Sequence, residues 1–290
     1  MPELPEVETI VRGLDKEIVG HQILGVETDT PNLFKGPNLE IFEDKIKGET
    51  IVKVSRRAKN ILISLSGGKT LLIHLKMTGH ILVTSDDIQV KNGKWLVDPK
   101  SPLADPQNQF IHVVWHLSGN KKMALSDLRK FANVLLKSED ELTDCLGDYG
   151  PEPLGLDFTF EKFYENIAKK KQPIKKVLLD QTVVSGVGNI YADEILYEAR
   201  VNPTRLVSTL SKKEIEAIYE NIKSVLKKAV DLRGTSVSDY RDIRGEKGGY
   251  GPVRKVYRRT GEPCPSECGG KVERITLGGR GTHFCPNCQK

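Results

Sequence analysis

The first residues of the sequence carry a group that could perform covalent chemistry. Because the residue at position 2 is small, we expect removal of Met1, which leaves a free secondary amine on Pro2. An α-amino group titrates near about 7.7–8, so part of it is uncharged at neutral pH and can form an iminium with a sugar aldehyde carbon. Glu3 adjoins this amine, and Glu6 lies one turn further along if a helix begins near Pro5. The alternative is an ordinary amphipathic helix whose acidic first turn only matches the helix dipole.

The C-terminal cysteines have the spacing of a metal site. Four of the five cysteines fall within 25 residues, as a C-x3-C pair and a C-x2-C pair: Cys264, Cys268, Cys285 and Cys288. Two close pairs separated by a hairpin can bring four thiolates together around one Zn²⁺. Disulfides are the weaker reading, since no secretory signal precedes the chain. The remaining cysteine, Cys145, is predicted to be a buried inert thiol.

Two glycine-rich stretches could bind phosphate. Glycines beside Arg280 allow the backbone to approach a ligand while the guanidinium forks onto a phosphate. Gly186 and Gly188 precede a predicted helix that starts at Asn189, whose free amides and side chain could hold a DNA phosphate. The alternatives are a plain hairpin tip and a simple helix cap.

Composition limits the class of protein. The chain has 290 residues, enough for about two domains, and a net charge of +5. Lysine and arginine are clustered, at 56–59, 169–176 and 254–259, which favours a polyanionic partner. No apolar run reaches the roughly 18–20 residues that span a bilayer, so we expect no membrane partner. The acidic, helical start also lacks the pattern of a secretory signal.

The elements that position these groups follow from hydrophobic periodicity. Residues 5–19 are predicted to form an amphipathic helix, and short apolar runs between 22 and 137 predict a β-sandwich or barrel. The predicted strands centre on 51–54, 61–65, 71–75, 111–115 and 134–136, with a short helix at 38–47 and an inserted loop at 97–109.

The period becomes helical after a linker at 147–153. Helices are predicted at 158–170, 174–181, 189–199 and 211–231, the last opened by the Ser211 and Glu214 capping box. Residues 234–252 are glycine-rich and polar, which predicts a mobile loop, and residues 253–290 are predicted to form a small hairpin module.

The motifs together resemble one family. MPELPEVETIVRGL, RRAKNILI, HLKMTGH, DLRKFA, LLDQTVVSGVGNIYADEIL, GEPCP and GGRGTHFCPNCQK are similar, in order and over nearly the whole chain, to the bacterial formamidopyrimidine-DNA glycosylases (the Fpg or MutM family). Leu4 favours this branch over the sister family, endonuclease VIII, which usually has glycine before its second proline.

The resemblance implies a multi-domain α+β fold. An N-terminal helix on a two-layered β-sandwich would occupy residues 1–146. A helical helix–two-turn–helix domain with a flap loop would occupy 147–252, and a zinc finger 253–290. The expected activity is base-excision repair of duplex DNA: the Pro2 amine attacks C1′ of a flipped 8-oxoguanine or formamidopyrimidine nucleotide, and the Schiff base then drives β,δ-elimination. The resemblance also implies a cytoplasmic, nucleoid-associated monomer with one structural Zn²⁺.

The resemblance assigns roles to individual residues. The catalytic set would be Pro2, Glu3, Glu6, Lys59 and Arg280, and the DNA-binding set His74, Met77, Arg129, Phe131, Lys175, Asn189 and Arg280. Lys59, His74, Asn189 and Arg280 would clamp phosphates around the damaged nucleotide, and Lys175 would lie near the lesion. Phe131 would wedge between bases and Arg129 would face the orphaned cytosine, with Met77 beside them. The residues 235–251 would form the flap over the flipped base.

Several features depart from the family pattern or leave alternatives open. The C-x3-C pair has one residue more than usual, Ala132 replaces a common glycine, Thr78 occupies a variable position, and the 85–109 insertion is long. From the residues alone, Met77 could be a core residue and His74 a satisfied sheet histidine. The alternative functions are a catalytically silent binder of damaged DNA and an endonuclease VIII-like glycosylase for oxidised pyrimidines. A zinc-ribbon protein that binds structured RNA ranks last, because aromatic residues make up only 6% of the chain.

Overall fold

The computed structural model describes residues 1–36, 38–85, 87–236 and 239–290. The chain forms two compact units, one of residues 1–147 with 232–251 and one of residues 148–231 with 252–290. The loop that follows residue 231 therefore groups with the first unit, although its sequence position suggested the helical domain. The division into three functional domains stays a prediction. Across the described residues, no helix is both long and apolar enough to cross a membrane.

The first unit begins with helix α1, Leu4–Ile18. Pro5 fits the first turn because the N–H that proline lacks has no helical partner there. The apolar face predicted for this helix is fully buried, at Val7, Ile10, Leu14 and Ile18. These side chains recur at helical spacing, so one stripe of α1 faces the core.

Among the described residues of the first unit, ten strands and two further helices follow α1. The strands are β1 (Ile23–Thr28), β2 (Ile51–Arg57), β3 (Asn60–Leu65), β4 (Thr70–His74), β5 (Gly79–Ser85), β6 (Gln89–Lys91), β7 (Lys94–Leu96), β8 (Ile111–Leu117), β9 (Lys121–Asp127) and β10 (Asn133–Lys137). The helices are α2 (Leu39–Ile46) and α3 (Glu139–Leu146). Two four-stranded antiparallel sheets have the orders β1-β8-β9-β5 and β10-β4-β3-β2, and β6 pairs with β7 in a small hairpin.

The main core of the first unit draws on both large sheets. Alternate residues of β3 and β4, among them Ile61, Ile63 and Ile73, are buried with Trp115 and Leu125 of the other sheet. Side chains alternate across a strand, so each sheet places one face in this core. This arrangement confirms the predicted helix on a two-layered sandwich.

In the sheet that contains β5, β9 and β8, the face turned away from the main core is also covered. Leu82, Val114 and Ala124 pack there with Trp95 and Leu103, which come from the long insertion after β5. Burial on both faces explains why β8 has a nearly continuous apolar sequence instead of simple alternation. Residue 86 of this insertion lies outside the described residues.

The second unit contains four helices and a hairpin. The helices are α4 (Phe160–Ala168), α5 (Ile174–Leu178), α6 (Asn189–Glu198) and α7 (Lys212–Asp231), and the hairpin strands are β11 (Glu273–Leu277) and β12 (Arg280–Phe284). The predicted helices and the C-terminal hairpin are confirmed. The second predicted helix is shorter than expected: α5 ends at Leu178, and the Asp180 side chain then binds the Thr182 amide at 3.0 Å, a local turn that competes with further helix.

The prediction of a buried Cys145 is wrong. This residue lies on α3 and is exposed. No residue of α3 is buried, and the start of the helix is stabilised by its Ser138 and Glu141 capping box. The sequence pattern did not predict this helix.

A buried histidine makes the stability of the first unit depend on pH. His80 on β5 is 1% exposed, and its Nε2 lies 2.9 Å from Oδ1 of Asn108. Burial lowers the pKa of His80 to about 4. Between about pH 6.5 and pH 4, the unfolded chain therefore binds a proton on His80 that the folded chain does not bind. The stability that the neutral imidazole contributes is fully present above about pH 6.5 and is lost as the pH falls towards 4.

We expect the free energy of unfolding to fall by about 2 kcal/mol between pH 7 and pH 5 because of this one group. His80→Gln keeps a donor for Asn108 but cannot titrate, so its denaturant-unfolding midpoints should depend less on pH over this range. His116→Gln is the control, since this side chain is partly exposed on β8. Equal pH dependence in wild type and His80→Gln contradicts the assignment.

Candidate active site and zinc centre

The N-terminal residues form a buried polar turn. Pro2, Glu3 and Glu6 are all buried, the two carboxylates at 2% and 1% exposure. The Glu3 amide donates a hydrogen bond of 2.8 Å to Oε2 of Glu6, one helical turn further along. This bond satisfies an N–H that the helix leaves without a partner. Met1 is 42% exposed, so the residue whose removal would free the Pro2 amine lies at the surface.

The second oxygen of Glu6 holds a segment distant in sequence. The Thr235 amide donates a hydrogen bond of 2.7 Å to Oε1 of Glu6. Gly234 precedes it with φ +77°, and a Cβ there would lie 2.8 Å from the same oxygen. Both the backbone conformation and the space therefore require glycine at this position. The predicted flap loop consequently starts beside the N-terminal residues.

Lys59 and His74 lie near one another in one sheet. Lys59 is 8% exposed in the β2–β3 turn, and Asn60 pairs with His74 across β3 and β4. The Lys76 amide donates 2.9 Å to Nδ1 of His74, which assigns the ring proton to Nε2. Burial and then the charges of Lys76 and Lys59 lower the pKa of His74 to about 4. His74 is therefore a neutral hydrogen-bond donor at neutral pH.

Met77, Arg129 and Phe131 form one exposed cluster. Met77 is 44% exposed and Phe131 is 49% exposed, so the core alternative for Met77 is wrong. Nη1 of Arg129 lies 2.9 Å from Sδ of Met77, and its Cζ lies 4.5 Å from the centre of the Phe131 ring. The structure thus brings Met77 to Arg129 and Phe131, which lie on a distant part of the sequence. The three side chains form an exposed, largely apolar surface with one cation.

Asp127 supports this cluster and was not predicted. Its fully buried carboxylate accepts hydrogen bonds from the amides of Phe131 and Ala132 at 2.7 and 2.8 Å, and from Arg129 at 3.2 Å. The Thr78 hydroxyl also donates to Asp127. A carboxylate before several unpaired amides is a recognised way to fix a turn, so the D-x-R-x-F spacing was the available signal. Thr78, at 7% exposure, acts here as a support.

The second unit holds the other predicted phosphate-binding residues. Arg280 is exposed, and Leu277 pairs with Arg280 around a turn of two glycines with φ +57° and +76°. Two consecutive positive φ values define the tight hairpin turn that glycine favours. Asn189 opens α6 and donates 3.1 Å to the Gly281 carbonyl, so this helix start and the hairpin are joined.

Lys175 is buried in a polar network. It is 1% exposed, and its Nζ lies 2.6 Å from Asp193, 2.8 Å from the Thr282 hydroxyl and 3.1 Å from the Gly281 carbonyl. Asp193 also accepts hydrogen bonds from the His283 amide and ring at 2.9 and 3.0 Å. The predicted contact of Lys175 with DNA stays a prediction. In the structure, Lys175 binds hairpin residues Gly281 and Thr282 from the buried side.

The four predicted metal ligands form one cluster. Their Sγ atoms all lie within 4.8 Å of one another, and the Cys264–Cys288 and Cys268–Cys285 pairs are 3.6 Å apart. Tetrahedral Zn²⁺ with Zn–S bonds of about 2.3 Å requires sulfur atoms about 3.8 Å apart, so these residues fit one structural zinc ion.

The zinc centre has supporting hydroxyl groups. Tyr197 of α6 lies 3.4 Å from Sγ of Cys264, and the Ser266 hydroxyl lies 3.2 Å from the same sulfur. Burial raises the pKa of the Cys264 thiol, but the hydrogen bonds with Ser266 and Tyr197 outweigh it and lower the pKa to about 6. Ser266 lies within the wider C-x3-C turn, and Glu267 takes a φ of +55° there. The extra residue thus leaves the four-sulfur cluster intact.

Known protein families match almost the whole chain. The N-terminal domain of formamidopyrimidine-DNA glycosylase matches residues 1–134, its H2TH domain residues 149–241, and the zinc finger found in FPG and IleRS residues 261–290. The formamidopyrimidine-DNA glycosylase of Pelotomaculum thermopropionicum is 39% identical over 100% of this chain and 99% of its own length. That of Streptococcus mutans is 39% identical over 100% of both chains.

Solved structures agree with these matches. Lactococcus lactis Fpg in complex with abasic-site DNA is 33% identical, with a TM-score of 0.87 over 99% of both chains. A Lactococcus lactis Fpg variant in complex with DNA containing Fapy-dG has a TM-score of 0.88 at 33% identity over 100% of both chains. The chain belongs to the formamidopyrimidine-DNA glycosylase family, which confirms the resemblance and the fold class expected from the motifs.

The four-thiolate site predicts one tightly bound zinc ion per chain. Cys285→Ser removes a buried ligand, so elemental analysis should find a large loss of zinc and calorimetry a lower melting temperature. Binding free energy at such sites contributes to folding, and about 10–16 kcal/mol is reported for isolated zinc-finger peptides. Cys145→Ser is the matched control because that thiol is exposed on α3. A Cys285→Ser protein that keeps a full zinc ion contradicts the site.

Proposed function

We propose that this chain removes oxidised purines from duplex DNA and then cuts the abasic strand, as a combined DNA glycosylase and AP lyase. The observation that carries the proposal is the buried Pro2-Glu3-Glu6 turn at the N-terminus of a chain of this family. A nucleophilic amine accounts for both activities, since the covalent intermediate that releases the base also drives strand cleavage.

The proposed chemistry begins after removal of Met1. The lone pair of the Pro2 nitrogen forms a bond to C1′, the bond from C1′ to the base breaks, and the base leaves with that electron pair and gains a proton. Opening of the sugar ring gives an iminium, which acidifies the C2′ hydrogen. Loss of that proton expels the 3′ phosphate, and a second elimination expels the 5′ phosphate.

Glu3 and Glu6 have different proposed tasks. Glu3 adjoins the amine and handles protons at the sugar, as a general acid and base. Glu6 uses both oxygens on the Glu3 and Thr235 amides, so its task is to position the turn. Because the loop from residue 235 starts at the same carboxylate, we place this loop over the base of a nucleotide whose C1′ lies at Pro2.

Each unit has its own proposed phosphate contacts. Lys59 contributes a charge and His74 a neutral Nε2–H donor from the first unit. Arg280 contributes a guanidinium, and Asn189 the start of α6, from the second. Phosphate contacts of this kind position a duplex without reading its sequence. Lys175 supports Arg280 indirectly, because it binds the neighbouring hairpin residues Gly281 and Thr282.

The exposed cluster of Met77, Arg129 and Phe131 fills the space that the flipped base leaves. An apolar side chain inserted at a base step compensates part of the lost stacking. Phe131 provides that surface, and Arg129 provides donors for the orphaned cytosine. The amides held by Asp127 keep the loop in one conformation before DNA binds.

DNA as the partner implies the oligomeric state and the place of action. The chain acts as a monomer on double-stranded DNA in a bacterial cytoplasm and associates with the nucleoid through that DNA. Residues 1–146 carry the chemistry and part of the DNA contacts, while the helical domain at 147–252 and the zinc finger at 253–290 contribute further DNA contacts.

Borohydride trapping tests the proposal. Purified protein is mixed with a duplex containing 8-oxoguanine opposite cytosine, reduced in place, and digested for mass spectrometry. We expect an adduct on the peptide that begins with Pro2. A Pro2→Gly variant should give much less adduct. A form that retains Met1 should give none, because its Pro2 nitrogen is an amide.

Other outcomes separate the alternatives. Tight binding without an adduct from a correctly processed chain contradicts the glycosylase proposal and favours a silent binder. An adduct formed only with an oxidised pyrimidine favours an endonuclease VIII-like specificity.

A further inference from the structure

The insertion after β5 folds against the outer face of the sheet in the first unit. Its residues 101–109, here called the strap, contain two short 3₁₀ turns, Pro102–Ala104 and Pro106–Asn108. Leu103 anchors the strap by packing on the outer face of the sheet with Leu82 and Val114. The strap is thus a folded segment with its own apolar attachment.

A partly buried ion pair joins the strap to the loop that begins at Thr235. The guanidinium of Arg241 forks onto the carboxylate of Asp105, with Nη2 at 2.9 and 2.8 Å from the two oxygens and Nε at 3.1 Å. Arg241 is only 4% exposed. A bidentate pair fixes orientation as well as distance, so it defines where this part of the loop lies.

Asn108 makes a second connection. Its fully buried side chain donates hydrogen bonds of 2.8 Å to the Pro102 carbonyl and 3.1 Å to the Gly245 carbonyl. Its Oδ1 lies 2.9 Å from Nε2 of His80 on β5. Gly245 has φ +83°, and a Cβ there would lie 2.5 Å from the Asn108 amide nitrogen. The loop backbone therefore approaches Asn108 as closely as glycine allows.

Two further contacts fix the same part of the loop. The Val83 amide donates 2.8 Å to the Ile243 carbonyl, so the loop extends the edge of β5. The Ile243 side chain lies on Gly13 of α1, where a Cβ would be 2.8 Å from it. Residues 241–245 are consequently bound by strap, sheet and helix, whereas the start of the loop is bound by Glu6.

We propose that Asp105 and Asn108 are positioning residues, and that through residues 241–245 the strap sets the position of the loop that contacts the flipped base. This inference rests on the proposed function, because it assigns the base contact to that loop. Its consequence is selective: the strap affects steps that need the base and leaves strand cleavage at a site without a base almost unchanged.

The test compares two DNA substrates in single-turnover reactions. Asp105→Asn keeps the shape of the side chain but removes the charge that faces Arg241. We expect the rate on a duplex with 8-oxoguanine to fall about 10- to 100-fold, the size of effect that a displacement of about 1 Å produces. The rate on the same duplex with a preformed abasic site should change less than about threefold, because strand cleavage there does not depend on positioning a base.

Two further variants make the result specific. Asp98→Asn is the matched control, since Asp98 precedes the strap and caps the Lys100 amide at 2.7 Å. The charge reversal of Asp105→Arg with Arg241→Asp should recover part of the lost rate. Hydrogen exchange at residues 241–245 should increase in Asp105→Asn and stay at the wild-type level in Asp98→Asn.

The outcomes overturn the inference in distinct ways. Equal losses on both substrates indicate general destabilisation, and faster exchange with unchanged rates shows that the strap holds the loop without controlling recognition. If the wild-type protein acts on neither substrate, the proposed function fails. Unchanged exchange in Asp105→Asn then rejects the strap by itself.

Discussion

The carboxylate of Glu6 joins the N-terminus of the chain to a loop more than two hundred residues away. One oxygen binds the Glu3 amide and the other binds the Thr235 amide, at 2.8 and 2.7 Å. A buried carboxylate is stable only when such donors satisfy it, so the two segments must be in place together. Gly234 completes the constraint, because no other residue fits both its φ and the space beside Glu6. The N-terminal turn that carries the proposed nucleophile and the loop that we propose to cover the base are thus bound to the same carboxylate.

The same principle recurs under the other functional surfaces. Asp127 holds the amides behind Phe131, and Asp193 holds Lys175 and His283 beneath the hairpin that carries Arg280. In each case an exposed group that would contact DNA stands on a buried, satisfied charge. Removing such a support leaves its partner unpaired in a low-dielectric interior, which costs more than the bond contributed. Preorganisation of this kind lets binding energy act on the DNA instead of on ordering the protein.

The sequence was a better guide to the proposed functional residues than to the residues that support them. The cysteine spacing predicted Cys285 as a metal ligand because paired cysteines are a local signal, and the resemblance carried by the DLRKFA motif assigned roles to Arg129 and Phe131. Asp105 could not be paired with Arg241 in the same way, since 136 residues separate them and only the fold brings them together. Cys145 shows the opposite error: a lone cysteine is usually buried, but the capping residues of α3 stabilise a helix with no buried face. Five strands of the sandwich, β2, β3, β4, β8 and β10, were predicted because short apolar runs are a local signal. The strands β1, β5 and β9 and the attachment of the strap to the loop were not predicted.

Amide hydrogen exchange in Glu6→Ala tests the shared constraint most directly. If one carboxylate positions both segments, protection at Glu3 and at Thr235 should be lost together, while amides in the centre of β3, such as Ile63, should keep their wild-type protection. Full protection at Thr235 in this variant would contradict the account, because the loop would then be held independently of the N-terminal turn.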